Sequence, residues 1–279
     1  MNLFVTGGTG FIGSHFLRIA LRAGHRVVAI RRPRAQPRIP LTDEPIWIEK
    51  ELADCEPHDF QNIDALVHFA AAGVSPQITT WAEAFKINVF DQINLLEVCK
   101  NAGVGRIVYC GSCVEYGLVA NNFREIPPSA ALEPVGIYAS SKAAGAIGAM
   151  AFARQCSNIS FSYLRVFTAY GDGQHESNFW PSLRTAALAG QDYPMTQGEQ
   201  VRDFVAVEEV AARFLDVAVN SNLKPGNPEI HNIGSGKPQT LRAFAEHWWD
   251  KWEAKGRLLY GAIPYRENEV MRYVPQLTL

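Results

Sequence analysis

Thr6-Gly7-Gly8-Thr9-Gly10-Phe11-Ile12-Gly13 follows the apolar run Leu3-Phe4-Val5 and opens a stretch in which Phe16, Leu17, Ala20 and Leu21 recur at helical spacing. Gly24 ends that helix, and Arg26-Val27-Val28-Ala29-Ile30 reads as a second strand. Together they make one βαβ unit of about 30 residues. Read as Gly8-x-Gly10-x-x-Gly13, the turn matches the dinucleotide fingerprint; Gly7-x-x-Gly10-x-x-Gly13 matches a looser form of it. Glycines permit the tight turn and close backbone approach, and free N–H groups at the helix start face a pyrophosphate. A glycine triplet alone is weak evidence, but here strand and helix stand where the fingerprint requires them. Gly7, Gly10, Phe11, Ile12 and Gly13 are therefore the expected cofactor-binding residues of the turn.

The alternation continues. Ala65-Leu66-Val67-His68-Phe69 is a strand, about 82–101 a long helix, 107–110 a strand, 138–156 a helix and 160–165 a strand. Strands alternating with helices predict an α/β fold, a doubly wound parallel sheet of the Rossmann type. Residues 168–202 are rich in Gly, Pro, Asn and Gln, as expected of loops closing over a ligand. Helical periodicity returns over 205–219, and 229–233 reads as one more strand. Trp248, Trp249 and Trp252 are spaced for packing on one helix face of a terminal cap. The expected organisation is a nucleotide-binding domain over 1–165, with 203–234 returning to it. A small C-terminal substrate-binding lobe would comprise 166–202 and 235–279.

The 279 residues are 47% hydrophobic and 19% charged, which excludes a disordered or collagenous chain. No apolar run approaches the roughly 18 residues of a spanning helix, and no basic leader precedes the first strand. A cytoplasmic protein with no membrane partner is expected. The net charge of −2 hides an asymmetry: residues 1–42 hold no Asp or Glu but include Arg18, Arg22, Arg26, Arg31, Arg32, Arg34 and Arg38. A nucleic-acid binder would carry its excess over a whole domain, so a small anion is the better-matched partner. The odd count of five cysteines suits a reducing compartment. Cys110-Gly111-Ser112-Cys113 has the spacing of a redox dithiol or half a zinc site, yet there is no second pair. No metal is expected, and the thiols read as small core residues.

At the end of the second strand an acid would accept the ribose 2′-OH of NAD, and an arginine would pair with the 2′-phosphate of NADP. Arg31-Arg32 stands there, with no acid before Asp43. The bland alternative is a solvated basic loop. NADP(H) is the preferred cofactor, with NAD(H) as the alternative.

Tyr138-Ala139-Ser140-Ser141-Lys142 puts a phenol and an ammonium on one helix face, and Ser112 lies at the carboxyl end of the preceding strand. In such a trio Lys142 stabilises the phenolate of Tyr138, lowering its pKa toward neutrality so that it exchanges a proton. Ser112 hydrogen-bonds the same carbonyl oxygen, whose carbon exchanges hydride with a nicotinamide.

With these motifs the sequence resembles the extended short-chain dehydrogenase/reductase family, in its group of nucleotide-sugar epimerases, dehydratases and 4-ketoreductases. Similar signatures stand at His68-Phe69-Ala70-Ala71, Asn88, residues 164–171 (LRVFTAYG), Arg202-Asp203-Phe204 and Asn232-Ile233-Gly234. The resemblance implies that Phe69, Ala70 and Asn88 line the cofactor, with Leu52 near the adenine. It also implies that Asn178, Arg202 and Arg266 contact the diphosphate of a nucleoside-diphosphate sugar, and Glu269 its ribose. Three departures stand out. Dehydratases of the group have Asp-Glu directly after the Ser/Thr, where this chain has Cys113-Val114. Thr168 replaces an Asn found in many relatives, removing one diphosphate contact. Relatives continue past the position of Leu279 with a short helix, which implies a trimmed or incomplete chain.

A 4-epimerase returns its hydride and usually keeps NAD, whereas a reductase consumes NADPH. Arg31-Arg32 favours NADPH-dependent reduction of the 4-keto group of a nucleoside-diphosphate 4-keto-6-deoxyhexose. The alternatives are a nucleotide-sugar 4-epimerase and, in another class, a non-catalytic NADP-binding sensor, against which the complete trio speaks. The helix after Tyr138 carries small residues around its whole circumference, and with the helix from Ala82 it implies a homodimer, as in related proteins.

Overall fold

The computed structural model describes residues 1–74, 79–220 and 224–278. The first half runs β1 (Asn2–Thr6), α1 (Phe11–Arg22), β2 (Arg26–Arg31), β3 (Ile46–Glu49), β4 (Ala65–His68), α2 (Trp81–Phe85), α3 (Gln92–Asn101), β5 (Arg106–Ser112), α4 (Ile137–Arg154) and β6 (Ser160–Val166). There follow β7 (Thr168–Tyr170), α5 (Phe179–Leu188), β8 (Tyr193–Met195), β9 (Val201–Ala206), α6 (Val207–Asn220), β10 (Glu229–Ile233), β11 (Pro238–Thr240), α7 (Leu241–Lys251), β12 (Leu258–Tyr260) and β13 (Arg272–Tyr273).

Seven strands form one parallel sheet in the order β10-β6-β5-β4-β1-β2-β3. The doubly wound sheet read from the sequence is thus observed. Both faces are covered, so the central strands are apolar on both sides. Phe4, Leu66, Ile107 and Phe161 pack on the α3–α4 side, and Leu3, Val5, Val67, Val108 and Leu164 pack on the side of α1 and α6. Strand order reverses between β1 and β4, and the loops after them diverge to leave the crevice where such sheets bind ligands.

Several boundaries differ from the sequence reading, each for a local reason. The edge strand β3 went unread because it has four residues and half-exposed side chains, leaving no clean period. Residues 168–202 are not simply loops, since they hold β7, α5, β8 and the start of β9. Pro181 reads as a breaker, but it sits in the first turn of α5, where its missing N–H has no helical partner to lose. The helix expected over 205–219 begins at Val207, because Val205 and Ala206 finish β9. The helix expected over 82–101 is α2 and α3 joined by a π-helical turn, Lys86–Asp91.

A second sheet of β11, β9, β13 and β7 stands beyond the carboxyl ends of the large sheet, and β8 pairs β12. Trp248 and Trp252 pack with Trp180 and Tyr170, while Trp249 turns into a neighbouring cluster and donates to the Gly256 carbonyl at 3.0 Å. Packing is therefore what these tryptophans do. Among the described residues no helix is long and apolar enough to cross a membrane.

Candidate active site

The expected glycine-turn and trio residues lie where β1 and β5 end and where α1 and α4 begin. After β1, Gly7 takes φ +67° and comes so close to the loop after β4 that a Cβ would lie 2.5 Å from the Ala70 nitrogen. The two loops flanking the switch point therefore touch. Helix α1 has Gly10 at its N-cap, no side-chain cap and no acid in its first turn. Its leading N–H groups and the positive end of its dipole suit a pyrophosphate, so the turn fits the dinucleotide its sequence implies.

Phe11 and Ile12 are half-buried in that first turn. The half-buried Phe69 ring lies between Phe16 and Phe214, at 5.3 and 4.8 Å, and packs against the core. The Ala70 N–H donates to Thr6 Oγ1 at 3.3 Å. Asn88, in the π turn, accepts from the Ala72 N–H at 2.8 Å and donates to the Ala72 carbonyl and to Ser141 Oγ, both at 2.9 Å. Its carboxamide ties the loop after β4 to the first turns of α4; such π turns recur at functional sites. Leu52 begins a short turn just beyond β3 and is half-buried against the core.

Arg31 ends β2, but it is not alone. Its Nε and Nη2 donate to Glu49 Oε1 at 3.2 and 2.9 Å, and its guanidinium lies 4.9 Å from the Trp47 ring centre. Glu49 faces Arg31 in strand register. The acid missing from β2 thus arrives from β3, the strand the sequence reading lacked. Arg32 is exposed beside it.

Ser112 is the last residue of β5, and Tyr138 and Lys142 occupy the first turns of α4. The Ser112 side chain lies near enough to the Tyr138 phenol to favour its ionised form in part. Lys142 is buried, donates to the Cys110 carbonyl at 2.8 Å and lies 5.0 Å from the centre of the Tyr109 ring. The structure therefore sets Ser112 beside Tyr138, with Lys142 buried one helical turn further along α4. It corrects the expected protonation, however: burial pushes the Tyr138 phenol up, the neighbouring Cys110, Glu115 and Cys113 side chains add to this, and Ser112 opposes it only in part. Burial pushes Lys142 down, against the pull of Glu115. Burial therefore favours the neutral phenol of Tyr138.

Burial also pushes the Cys110 and Cys113 thiols up to about 12, which removes the thiolate a dithiol reaction needs.

Arg202 and Glu269, expected on different parts of a nucleotide sugar, are joined to each other: Arg202 Nη2 donates to Glu269 Oε1 at 2.8 Å, and the guanidinium lies 5.4 Å from the Tyr273 ring centre. Their 67-residue separation hid this pairing. Arg266 is exposed in the turn leading to Glu269, whose N–H donates to the Arg266 carbonyl at 3.1 Å. Asn178 stands half-buried at the N-cap of α5, and its side chain makes no cap bond.

A parallel sheet with a glycine turn at its switch point and a Ser, Tyr and Lys at its carboxyl edge defines a nicotinamide-dependent oxidoreductase. The family model "NAD dependent epimerase/dehydratase family" matches residues 3–234, and the chain belongs to that family. It is 26% identical to a UDP-glucose 4-epimerase of Lactobacillus helveticus over 84% of this chain and 77% of that protein. It is 24% identical to a dTDP-6-deoxy-L-talose 4-dehydrogenase (NAD(+)) of Aggregatibacter actinomycetemcomitans, over 97% of this chain and 98% of that one. The solved structure of MoeE5 in complex with UDP-glucose and NAD superposes with a TM-score of 0.82 at 28% identity, covering 99% of this chain and 90% of that one. This chain is thus an enzyme of the nucleotide-sugar epimerase, dehydratase and dehydrogenase type.

Proposed function

We propose that the enzyme reduces the 4-keto group of a nucleoside-diphosphate 4-keto-6-deoxyhexose with NADPH. The observation that carries this reading is the end of β2, where Arg31-Arg32 replaces the carboxylate that would bind the ribose 2′-OH of NAD. Cys113-Val114 after Ser112 supplies no acid–base pair for dehydration. The Aggregatibacter relative is, by its name, a redox enzyme at position 4 of such a sugar.

In this reading Ser112 and Tyr138 hold the substrate carbonyl oxygen between them. Tyr138, kept protonated by burial, delivers its proton to that oxygen, and the Lys142 ammonium supports the phenolate left behind. The nicotinamide, when bound, supplies the hydride. The Arg202–Glu269 pair borders the approach: Arg202 lies close enough to Cys113, next to Ser112, to oppose in part the effect of burial on its thiol. An entering diphosphate takes Arg202 from Glu269 as a bidentate partner, freeing that carboxylate for the nucleoside.

The double variant Arg31→Ala, Arg32→Ala is expected to weaken NADPH binding by about tenfold to hundredfold, the worth of one or two charge-assisted hydrogen bonds, with NADH binding little changed. Titration of the two cofactors measures this, and equal weakening of both would remove the NADP reading. One observation favours a second reading, an NAD-dependent 4-epimerase: Glu49 already occupies Arg31 and places a negative charge beside the 2′ position.

We further infer a cytoplasmic homodimer. Phe90, 65% exposed, and Ile147, 64% exposed, lie in the helical layer of α2 to α4. Sedimentation should give the mass of two chains at micromolar concentration; one chain would reject it.

A further inference from the structure

Glu115 is the last residue of the short turn that follows Ser112, and it is fully buried. Its Oε1 accepts from the Ser112 backbone N–H and from the Tyr163 hydroxyl, each at 2.8 Å, and its Oε2 accepts from Arg165 Nε at 2.7 Å. Arg165 is held in turn: Nη1 donates to the Tyr116 hydroxyl at 3.1 Å and to the Pro128 carbonyl at 3.0 Å. The Tyr116 hydroxyl donates to Asn232 Oδ1 at 2.6 Å, and Asn232 Nδ2 donates to the Ile126 carbonyl at 2.8 Å. A continuous polar network thus runs from β10 through β6 to the backbone of one residue of the trio.

Such a network is a poor means of gaining stability, because desolvating a carboxylate and a guanidinium costs about as much as their attraction returns. What it does supply is position. β5 ends at Ser112, which is still in register with Val166 of β6 while its N–H turns to Glu115. The Glu115 carboxylate takes the Ser112 N–H, and Ser112 Oγ accepts from the Val114 N–H at 3.5 Å, closing a reciprocal capping box. With the backbone fixed on one side, the Ser112 hydroxyl is held near the Tyr138 phenol.

We propose that Glu115 is a positioning residue: anchored by Arg165 and Tyr163, it fixes the Ser112 backbone so that Ser112 and Tyr138 converge on one carbonyl oxygen. This rests on the site reading above, since Glu115 acts only through Ser112. A misplacement of about 1 Å at a reacting group is worth on the order of 10²-fold in rate.

The test is a double-mutant cycle on the holoenzyme, following NADPH oxidation with dTDP-4-keto-6-deoxyglucose. Glu115→Gln should lower kcat on the order of 10²-fold, with KM and the NADPH dissociation constant within about threefold of wild type. Adding it to Ser112→Ala should cost little more than Ser112→Ala alone, which a merely structural role would not produce. If Glu115→Gln strands the Arg165 charge and fails to fold, Glu115→Gln, Arg165→Met removes that charge and takes its place in the cycle. Losses that multiply across the cycle, or a wild-type rate for the Glu115 variant, would overturn the proposal. Tyr138→Phe in the same assay separates the two levels. An active Tyr138→Phe enzyme would bring down the site reading and this proposal together. An inactive one, with multiplicative losses at Ser112 and Glu115, would remove Glu115 alone.

Discussion

Replacing Tyr138 by Phe is expected to lower kcat by about 10²- to 10⁴-fold, the usual worth of a positioned general acid, and to leave NADPH binding nearly unchanged. The substitution deletes one hydroxyl and keeps the ring, so the first turns of α4 remain packed and Asn88 keeps its bond to Ser141. The wild-type pH profile follows from the direction of the Tyr138 shift. Burial raises its pKa, so the phenol is protonated through neutrality. Turnover in the reductive direction should therefore hold at neutral pH and fall only as alkaline pH removes the proton. Steady-state kinetics across pH on both proteins tests this. A Tyr138→Phe enzyme with a normal rate, or a profile that falls toward acid pH, would remove Tyr138 as the proton donor.

Gly13→Ala is expected to abolish cofactor binding at micromolar concentration and to lower the melting temperature. An added Cβ would lie 2.2 Å from the Gly7 carbonyl oxygen and 2.9 Å from its carbon, both backbone atoms that cannot swing aside. The strand-to-helix turn must open to admit it, at a cost of about 1–3 kcal/mol of overpacking. The opened turn no longer presents the α1 N–H groups together to a pyrophosphate. Gly105→Ala is the control: a Cβ there meets nothing within 4 Å, and its φ is not positive. Calorimetric titration with NADPH and a thermal melt compare the two. Equal behaviour would mean that the turn tolerates a side chain and that its glycines are not required by close approach.

The sequence disclosed what is local. Gly7 to Gly13 lie between an apolar strand and an amphipathic helix, so one short window held the cradle. Tyr138 and Lys142 are one helical turn apart, and Ser112 closes a run of apolar strand residues. What stayed hidden depends on partners far along the chain. Glu49 has meaning only once β3 pairs β2 and sets it opposite Arg31. Glu269 looks like a separate contact until β13 and the turn before it bring it to Arg202. Glu115 reads as an ordinary acid, because its burial comes from Tyr163 and Arg165 on the neighbouring strand. The protonation of Tyr138 was also out of reach, since a helical spacing gives the distance to Lys142 but not the loss of solvent around the phenol.

Hydride transfer tests the central claim most directly. The protein is incubated with dTDP-4-keto-6-deoxyglucose and NADPH carrying deuterium at the nicotinamide C4, and the sugar product is examined by mass spectrometry and NMR. The account predicts one NADPH consumed per sugar, deuterium at C4 of the resulting alcohol, and a slower reaction with NADH. No transfer from NADPH, together with interconversion of UDP-glucose and UDP-galactose without net redox, would contradict it.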